Sequence, residues 1–435
     1  MRKSKLKIES ISGKSVTEKS AAKLPVRILA PAGNFESLAA AINAGADAIY
    51  FGCGALNMRA RAGSFVLSDL PEIVKRCHNA KIAAYLALNT VMYDNDLEQI
   101  HIFCKAAVKA KVDALICTDI AAIQIARSYN LRVHISTQQS VSNIEAVRFF
   151  STFADTIVLA RELTLAQIKV ISKQIVDQKI RGPSGQLVEL EAFVHGALCV
   201  AVAGKCGMSL ATYNASANRG ACFQVCRREY RVTDVETDNE LVIDGKYVMS
   251  PKDLCTLGML AKLVDAGVHL LKIEGRARGP EYVTTVVSVY KEAISLISKG
   301  KYNSAAKQKL IDEVSKVYNR GFWQNGYYMG VQAGEWCSAA GSVSTLVKTC
   351  VGFVENYYPK AGVALVKVES GEVAQGCNLA FTGPTTGYLE CDSAAIRVDD
   401  KIPTKVLAGG IFTVRVPSIV RKNDKVFVIT TRSVN

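Results

Sequence analysis

The sequence predicts an α/β protein: a TIM-like (β/α)8 barrel with a Cys-rich insertion after strand seven, followed by a small C-terminal β-barrel domain. Three observations carry that reading. Between Pro25 and about Ala277, eight short apolar runs alternate with longer segments of helical periodicity, the pattern of repeated βα units. The runs are rich in Val, Ile, Leu and Ala and do not strictly alternate, as expected for strands buried on both faces. From about Gly341 the texture changes to short β-rich runs separated by Gly, Pro and Asp, which suits a small barrel or sandwich.

The candidate strands are 26–33 (VRILAPAG), 46–52, 81–89, 112–119, 131–140, 155–162, 188–199 and 269–277 (HLLKIEGRA). Between the first two lies NFESLAAAINAG, with Asn34 as N-cap and Gly45 closing the helix;. Another helix is expected over 97–111. The same units could build a doubly wound open sheet, the alternative architecture. Residues 200–268 are too long for one crossover. They carry most of the cysteine chemistry and a hairpin pattern at 230–249, with Asp244-Gly245 as the turn;. Pro280 then starts a helix running to about Ser298, and a second helix follows over 304–318;. The domains read as a basic tail (1–24), a barrel domain (25–335) and a β-domain (340–435), the last with runs at 362–369, 379–383, 394–398, 410–416 and 425–430.

Composition narrows the function classes. Of 435 residues, 49% are hydrophobic and 21% charged, which excludes extensive disorder. Fifty-three Lys and Arg against 39 Asp and Glu give a net charge of +14, favouring a polyanionic partner such as RNA. Seven basic and two acidic residues put +5 on the tail, so +9 belongs to the rest. The tail lacks the apolar core of a signal peptide, and no stretch of 18 apolar residues occurs;. Thirteen cysteines over such a length do not resemble a secreted disulfide framework;. Reduced thiols in a cytoplasmic protein with no membrane anchor are expected.

Five of the 13 cysteines fall within 57 residues: Cys199, Cys206, Cys222, Cys226 and Cys255. Their spacing is not that of a zinc ribbon, whereas four thiolates can hold a [4Fe–4S] cluster. Arg219, Arg227 and Arg228 lie close by, and positive charge favours thiolate;. Cys199 falls just past strand seven, on the face where such barrels place their active sites. Polar residues collect at other strand ends: Asn57, Arg59, Arg61, Asn89, Gln138, Gln139, His195, Glu274 and Arg276. Paired arginines can clamp carboxylate or phosphate. Glu191 and Glu274 are candidate paired carboxylates. No nucleophile elbow, H-E-x-x-H helix, Walker loop or G-x-G-x-x-G is present;.

Several long motifs, in order, carry a resemblance: ILAPAGNFESLAAAINAGADAIYFG, LNMRARAGSF, EAFVHGALCVAVAGKCGMS, NRGACFQVCRREY, SPKDLCTL, LKIEGRARGPEYVTTVVSVYKEA and RGFWQNGYYMG. Over about residues 25–435 the chain resembles the collagenase-like U32 peptidase family. That resemblance implies an oxygen-independent RNA hydroxylase, and the C-terminal β-domain is similar to that of the longer members that make 5-hydroxyuridine at the tRNA wobble position. It implies tRNA as partner, prephenate as hydroxyl source and a [4Fe–4S] cluster on Cys199, Cys206, Cys222 and Cys255, with Cys226 a fifth candidate. The family pattern usually has Pro where this chain has Val225, and Met-Lys where it has Ala277 and Arg278. In that scheme Arg59 and Arg61, with Asn89 and Gln138, bind substrate, while His195, Glu274 and Arg276 serve catalysis. The alternatives are a collagenase-like peptidase, a hydroxylase of ribosomal RNA or of a quinone ring, and a non-catalytic RNA-binding protein with a structural cluster.

Overall fold

The computed structural model describes residues 25–432 apart from 63–64, 232, 234, 238–248, 325, 331–334, 340, 393–395 and 400. The basic tail and most of the expected hairpin at 230–249 lie outside the described residues.

Each of the eight apolar runs forms a strand: β1 (Arg27–Pro31), β2 (Ala48–Phe51), β3 (Ala83–Leu88), β4 (Ala114–Cys117), β5 (Val133–Ile135), β6 (Thr156–Val158), β7 (Glu189–Gly196) and, after the insertion, β9 (Leu270–Ile273). β1 to β7 pair in sequence order, and β9 pairs with both β7 and β1, all parallel. The sheet therefore closes as an eight-stranded barrel, and the open doubly wound alternative is ruled out. Two further strands line its edge. β8 (Asp253–Cys255) runs antiparallel to the end of β7, and β10 (Phe322–Trp323) runs parallel to β8.

Helices α1 (Phe35–Asn43), α2 (Leu70–Asn79), α3 (Leu97–Ala110), α4 (Ile120–Ser128), α5 (Ile144–Ser151), α6 (Leu165–Asp177), α7 (Met208–Tyr213), α8 (Leu260–Asp265), α9 (Pro280–Ser298) and α10 (Ser304–Ser315) complete the domain. Local signals set their ends. Asn34 caps α1 through Ser37 N–H, and Pro280 opens α9;. Alternate strand residues divide the burial. Ile28, Ile49, Leu86, Leu115 and Ile157 pack outward in the main helix-bearing core. Leu29, Ala48, Tyr50, Tyr85, Ala114, Ile116 and Leu270 form a separate cluster in the lumen;.

The lumen is not wholly apolar. Lys272 Nζ donates to Glu191 Oε1 at 2.6 Å, and His134 Nδ1 lies 3.5 Å from Glu191 Oε2. Burial pushes the Glu191 carboxyl up, but Lys272 and His134 outweigh it and hold it below the ordinary carboxylate range;. Nearer the strand starts, Arg27 pairs with Glu189.

The C-terminal domain has its own core around Val354, Val366, Phe381, Phe412 and Val426. Its antiparallel sheet contains β11 (Leu346–Tyr358), β12 (Val363–Val368), β14 (Asn378–Gly383), β15 (Gly387–Asp392), β17 (Ile411–Arg415) and β18 (Lys425–Thr431). A ribbon of β13 (Glu372–Ala374) and β16 (Lys405–Leu407) accompanies it. Bulges at Cys350/Gly352 and Val354/Asn356 bend the long β11;, and the curled sheet is the small β-barrel that the sequence predicts. The run 394–398 differs: its described residues make only isolated bridges. The domain docks on α1 through β15. Gly387 has φ +71°, and a Cβ there would meet Ala40 N at 2.7 Å;. Asn43 Nδ2 donates to Thr386 O at 3.1 Å, and Lys348 pairs with Glu281 at 2.7 Å.

Candidate functional site

The C-terminal ends of the barrel strands open into a cavity of about 470 Å³, roofed by the cysteine-rich insertion. Tyr50, Phe193 and Lys272 reach it from the lumen. Arg59 and Arg61 come from the turn after β2, Asn89 follows β3, Gln138 follows β5, and Glu274 and Arg276 follow β9. All six were expected at this rim, and the barrel brings them together.

Asn57, fully buried, holds this arrangement. Its amide Nδ2 donates to Gly54 O and Ala55 O at 3.0 and 2.8 Å. Its Oδ1 accepts from Arg59 N and from Arg276 Nη1, each at 3.1 Å. Asn89 Oδ1 accepts from Met58 N at 3.3 Å, so it too shapes the turn. Gly33 admits the backbone behind Arg276, because a Cβ there would lie 1.9 Å from Arg276 O.

Arg59 Nη2 donates to Glu274 Oε1 at 3.0 Å. Burial pushes the Glu274 carboxyl up, but Arg59 and then Arg278, Arg161 and Arg276 outweigh it, so the group is held ionised;. Glu274 is thereby a proton acceptor or an orienting anion. Arg276 is 9% exposed, makes no ion pair with a carboxylate among the described residues, and burial brings it down to about 10. Arg161, a residue the sequence reading passed over, lies above the Phe193 ring at 4.1 Å and donates to Ala197 O. It follows β6 just as Arg59 follows β2, so the same strand-end rule would have found it. Lys272 and Arg320 were missed as well; the signal for Lys272 was a lysine inside an apolar strand. In all, eight Arg or Lys side chains line the cavity against two carboxylates, Glu162 and Glu274. The site is built to receive an anion.

Two expectations are corrected. His195 does not reach the cavity. The ladder slips between Phe193 and His195, and this bulge turns His195 out of the lumen, where the alternation of Glu191 and Phe193 would have sent it. It packs against Tyr282, Tyr290 and Phe322, with ring centroids 5.5–5.9 Å away. Burial holds it down to about 3, so it is a neutral core residue. Cys255 is likewise displaced. It sits in β8 opposite His195, fully buried, with its thiol pushed up to about 12 by burial.

Cys199, Cys206, Cys222 and Cys226 instead share the cavity wall. Cys226 replaces Cys255 in that group because a turn over Val225–Arg227, entered through Gln224 at φ +53°, brings it back beside Cys222. Met208 N–H and Gln224 N–H point at the sulfurs of Cys206 and Cys222, each at 3.4 Å. Burial raises the Cys226 thiol, and Arg227 opposes that shift. Arg227 is itself anchored on Ser250 Oγ at 3.0 Å, Pro251 O at 2.6 Å and Leu198 O. Among the described residues, no three Cys, His, Asp or Glu side chains gather as one metal ion requires. No described helix is long and apolar enough to cross a membrane.

Comparison with known proteins places this geometry. The model of "Peptidase family U32" matches residues 33–338. A "Collagenase" of Porphyromonas gingivalis is 47% identical over 92% of this chain and 97% of its own. The "tRNA hydroxylation protein P1" of Bacillus subtilis is 34% identical over 67% of this chain and 68% of its own. A 23S rRNA 5-hydroxycytidine synthase of Escherichia coli is 32% identical over 71% of this chain and 46% of its own. The match runs through the barrel, its strand-end arginines and the cysteine-bearing insertion, and on that basis the chain belongs to peptidase family U32.

Proposed function

We propose that this chain is an RNA hydroxylase that converts the wobble uridine of tRNA to 5-hydroxyuridine without molecular oxygen, using prephenate as hydroxyl source and a [4Fe–4S] cluster. The observation that carries the reading is the convergence of four cysteines on a cavity lined by eight cations. The naming of two relatives for tRNA and ribosomal RNA hydroxylation supports the RNA substrate.

Cys199, Cys206, Cys222 and Cys226 would hold the cluster. Four thiolates on one zinc ion stand about 3.8 Å apart, from tetrahedral Zn–S bonds of ~2.3 Å. A cluster takes one thiolate per iron and spreads the sulfurs more widely. The two backbone N–H groups aimed at sulfur suit thiolates;. Bound there, the cluster would supply one-electron chemistry.

The chain's own residues have separable tasks. Arg161 and Arg276 present positive charge at the cavity floor, suited to the carboxylates of the donor or to a phosphate, whereas Lys272 is engaged by Glu191. Arg59 is engaged by Glu274, so its task is to hold that carboxylate ionised and aimed. Glu274 can then accept a proton from a group bound beside it.

Mass spectrometry of tRNA nucleosides from a deletion strain tests the proposal. Loss of 5-hydroxyuridine-derived nucleosides, restored by the wild-type gene, is expected. Unchanged levels in a strain lacking a paralogue would overturn it, and a change confined to ribosomal RNA would move the substrate there. The collagenase reading rests on the names of relatives. Against it, no histidine is among the cavity-lining residues to activate a nucleophile;. Gelatin cleavage by protease-free protein, abolished by one cavity substitution, would revive it.

A further inference from the structure

At the mouth of the cavity, four side chains form one stack. The exposed Arg61 guanidinium lies 3.4 Å from the centroid of the Phe223 ring. On the other face of the pair, Tyr213 stacks on Phe223 at 4.6 Å with planes 22° apart. Arg228 stands beyond, 5.2 Å from the Tyr213 centroid. Arg61 and Phe223 line the cavity, so the stack runs from its wall out to solvent. The geometry has a local cause. Ser209 and Tyr213 are four residues apart on α7 and share a face. The buried Ser209 hydroxyl accepts from Phe223 N–H at 3.0 Å and pins that ring beneath Tyr213.

Packing alone does not account for this arrangement. An aromatic pair that served only to close the insertion would turn its rings inward, yet Tyr213 is 41% exposed. Phe223 is sandwiched closely, whereas Arg228 stands off the Tyr213 face and is itself exposed. The outer face of Tyr213 is therefore covered only loosely, by an exposed arginine that an incoming flat group can displace. A pair of stacked aromatic rings flanked by arginines at a basic rim matches an unpaired nucleobase, whose π-face stacks on either kind of group and whose phosphate is drawn by the charge. A base buried in a duplex cannot offer that face.

We propose that Tyr213, backed by Phe223 and flanked by Arg228, is a stacking platform for a single-stranded nucleobase next to the one admitted to the cavity. The inference rests on the RNA reading above and adds the mode of recognition.

Fluorescence anisotropy with the full-length, anaerobically purified protein tests it, using a labelled RNA hairpin with a single-stranded loop and a blunt RNA duplex of equal length. Tyr213 is chosen because Phe223 adjoins Cys222. Tyr213→Leu should weaken hairpin binding about 5- to 150-fold, from ~1–3 kcal/mol per stacked base. Tyr213→Trp should retain it, duplex binding should not change, and the salt slope should be unaltered because no phosphate contact is lost. An unchanged thermal midpoint shows that each variant folds. Equal hairpin affinity in wild type and Tyr213→Leu overturns the platform, as does equal weakening by Leu and Trp or a parallel loss on the duplex. A wild-type protein that binds neither RNA overturns the hydroxylase reading instead.

Discussion

Replacing Lys272 with Met probes how the barrel interior is held. Lys272 Nζ and Glu191 Oε1 are 2.6 Å apart, with side chains 5% and 0% exposed. At an effective dielectric near 20 their attraction is about 6 kcal/mol, and the lost hydration of the two ions offsets much of it. The net contribution of the intact pair is thus modest. Breaking it is costly, because one buried carboxylate is left without its cation, and about 3–5 kcal/mol of stability should be lost. Methionine keeps the unbranched stem against Tyr50 and Phe193, so the loss reports charge more than packing;. The pH dependence gives a second signature. In the wild type Glu191 is held low, so its contribution is present above the unfolded value of about 4.3 and is lost as pH falls through the folded value;. Without Lys272, burial wins and the folded value rises above the unfolded one. The variant is then penalised at neutral pH and regains stability on mild acidification. Urea unfolding followed by fluorescence of the buried Trp323 reads both effects;. A Lys272→Met/Glu191→Leu double variant should recover most of the loss. A loss under ~1 kcal/mol, equal at neutral and mildly acidic pH, would refute the reasoning, since that is the range of exposed pairs.

Three other outcomes are expected. Cys226→Ser should abolish iron and acid-labile sulfide after anaerobic reconstitution, whereas Cys255→Ser should retain both; equal retention in the two would remove Cys226 from the ligand set. Arg59→Gln should cost about 1–3 kcal/mol, the range for a hydrogen bond to a charged group. Because Arg59 is the largest influence holding Glu274 low, the variant's acid destabilisation should begin at higher pH, read by thermal melts across the acid range. Gly387→Ala should cost more than ~1 kcal/mol, since its φ is +71° and the new Cβ meets the α1 backbone;. Limited proteolysis should then release the β-domain sooner than in wild type.

The regular parts of the molecule were legible in the chain. Eight βα units announced themselves through apolar runs, caps and Pro280, because those signals act within a few residues of where they occur. The strand-end rule likewise located Arg59, Arg61, Asn89, Gln138, Glu274 and Arg276, and it applies equally to Arg161. The irregular parts were not legible. The thirteen-residue β11 has a mixed pattern because two bulges shift its faces, so no single alternation runs through it. β8 was hidden for another reason: three residues in a long insertion carry too short a signal to distinguish from loop.

The sequence by itself determined the family, the barrel and the set of residues from which a site could be made. Only the tertiary structure decided which of them meet. Cys255 and Cys226 are both cysteines in the same window, and spacing favoured neither; a turn at Val225 takes one to the cavity while pairing with β7 takes the other into the core. His195 stands at the proper end of the proper strand, yet one bulge sends it among aromatic rings. Lys272 and Glu191 lie 81 residues apart and become partners only when the sheet closes. The reason is common to all three. A strand's existence follows from local composition, but which way a side chain points depends on register, and a one-residue slip in register reverses it.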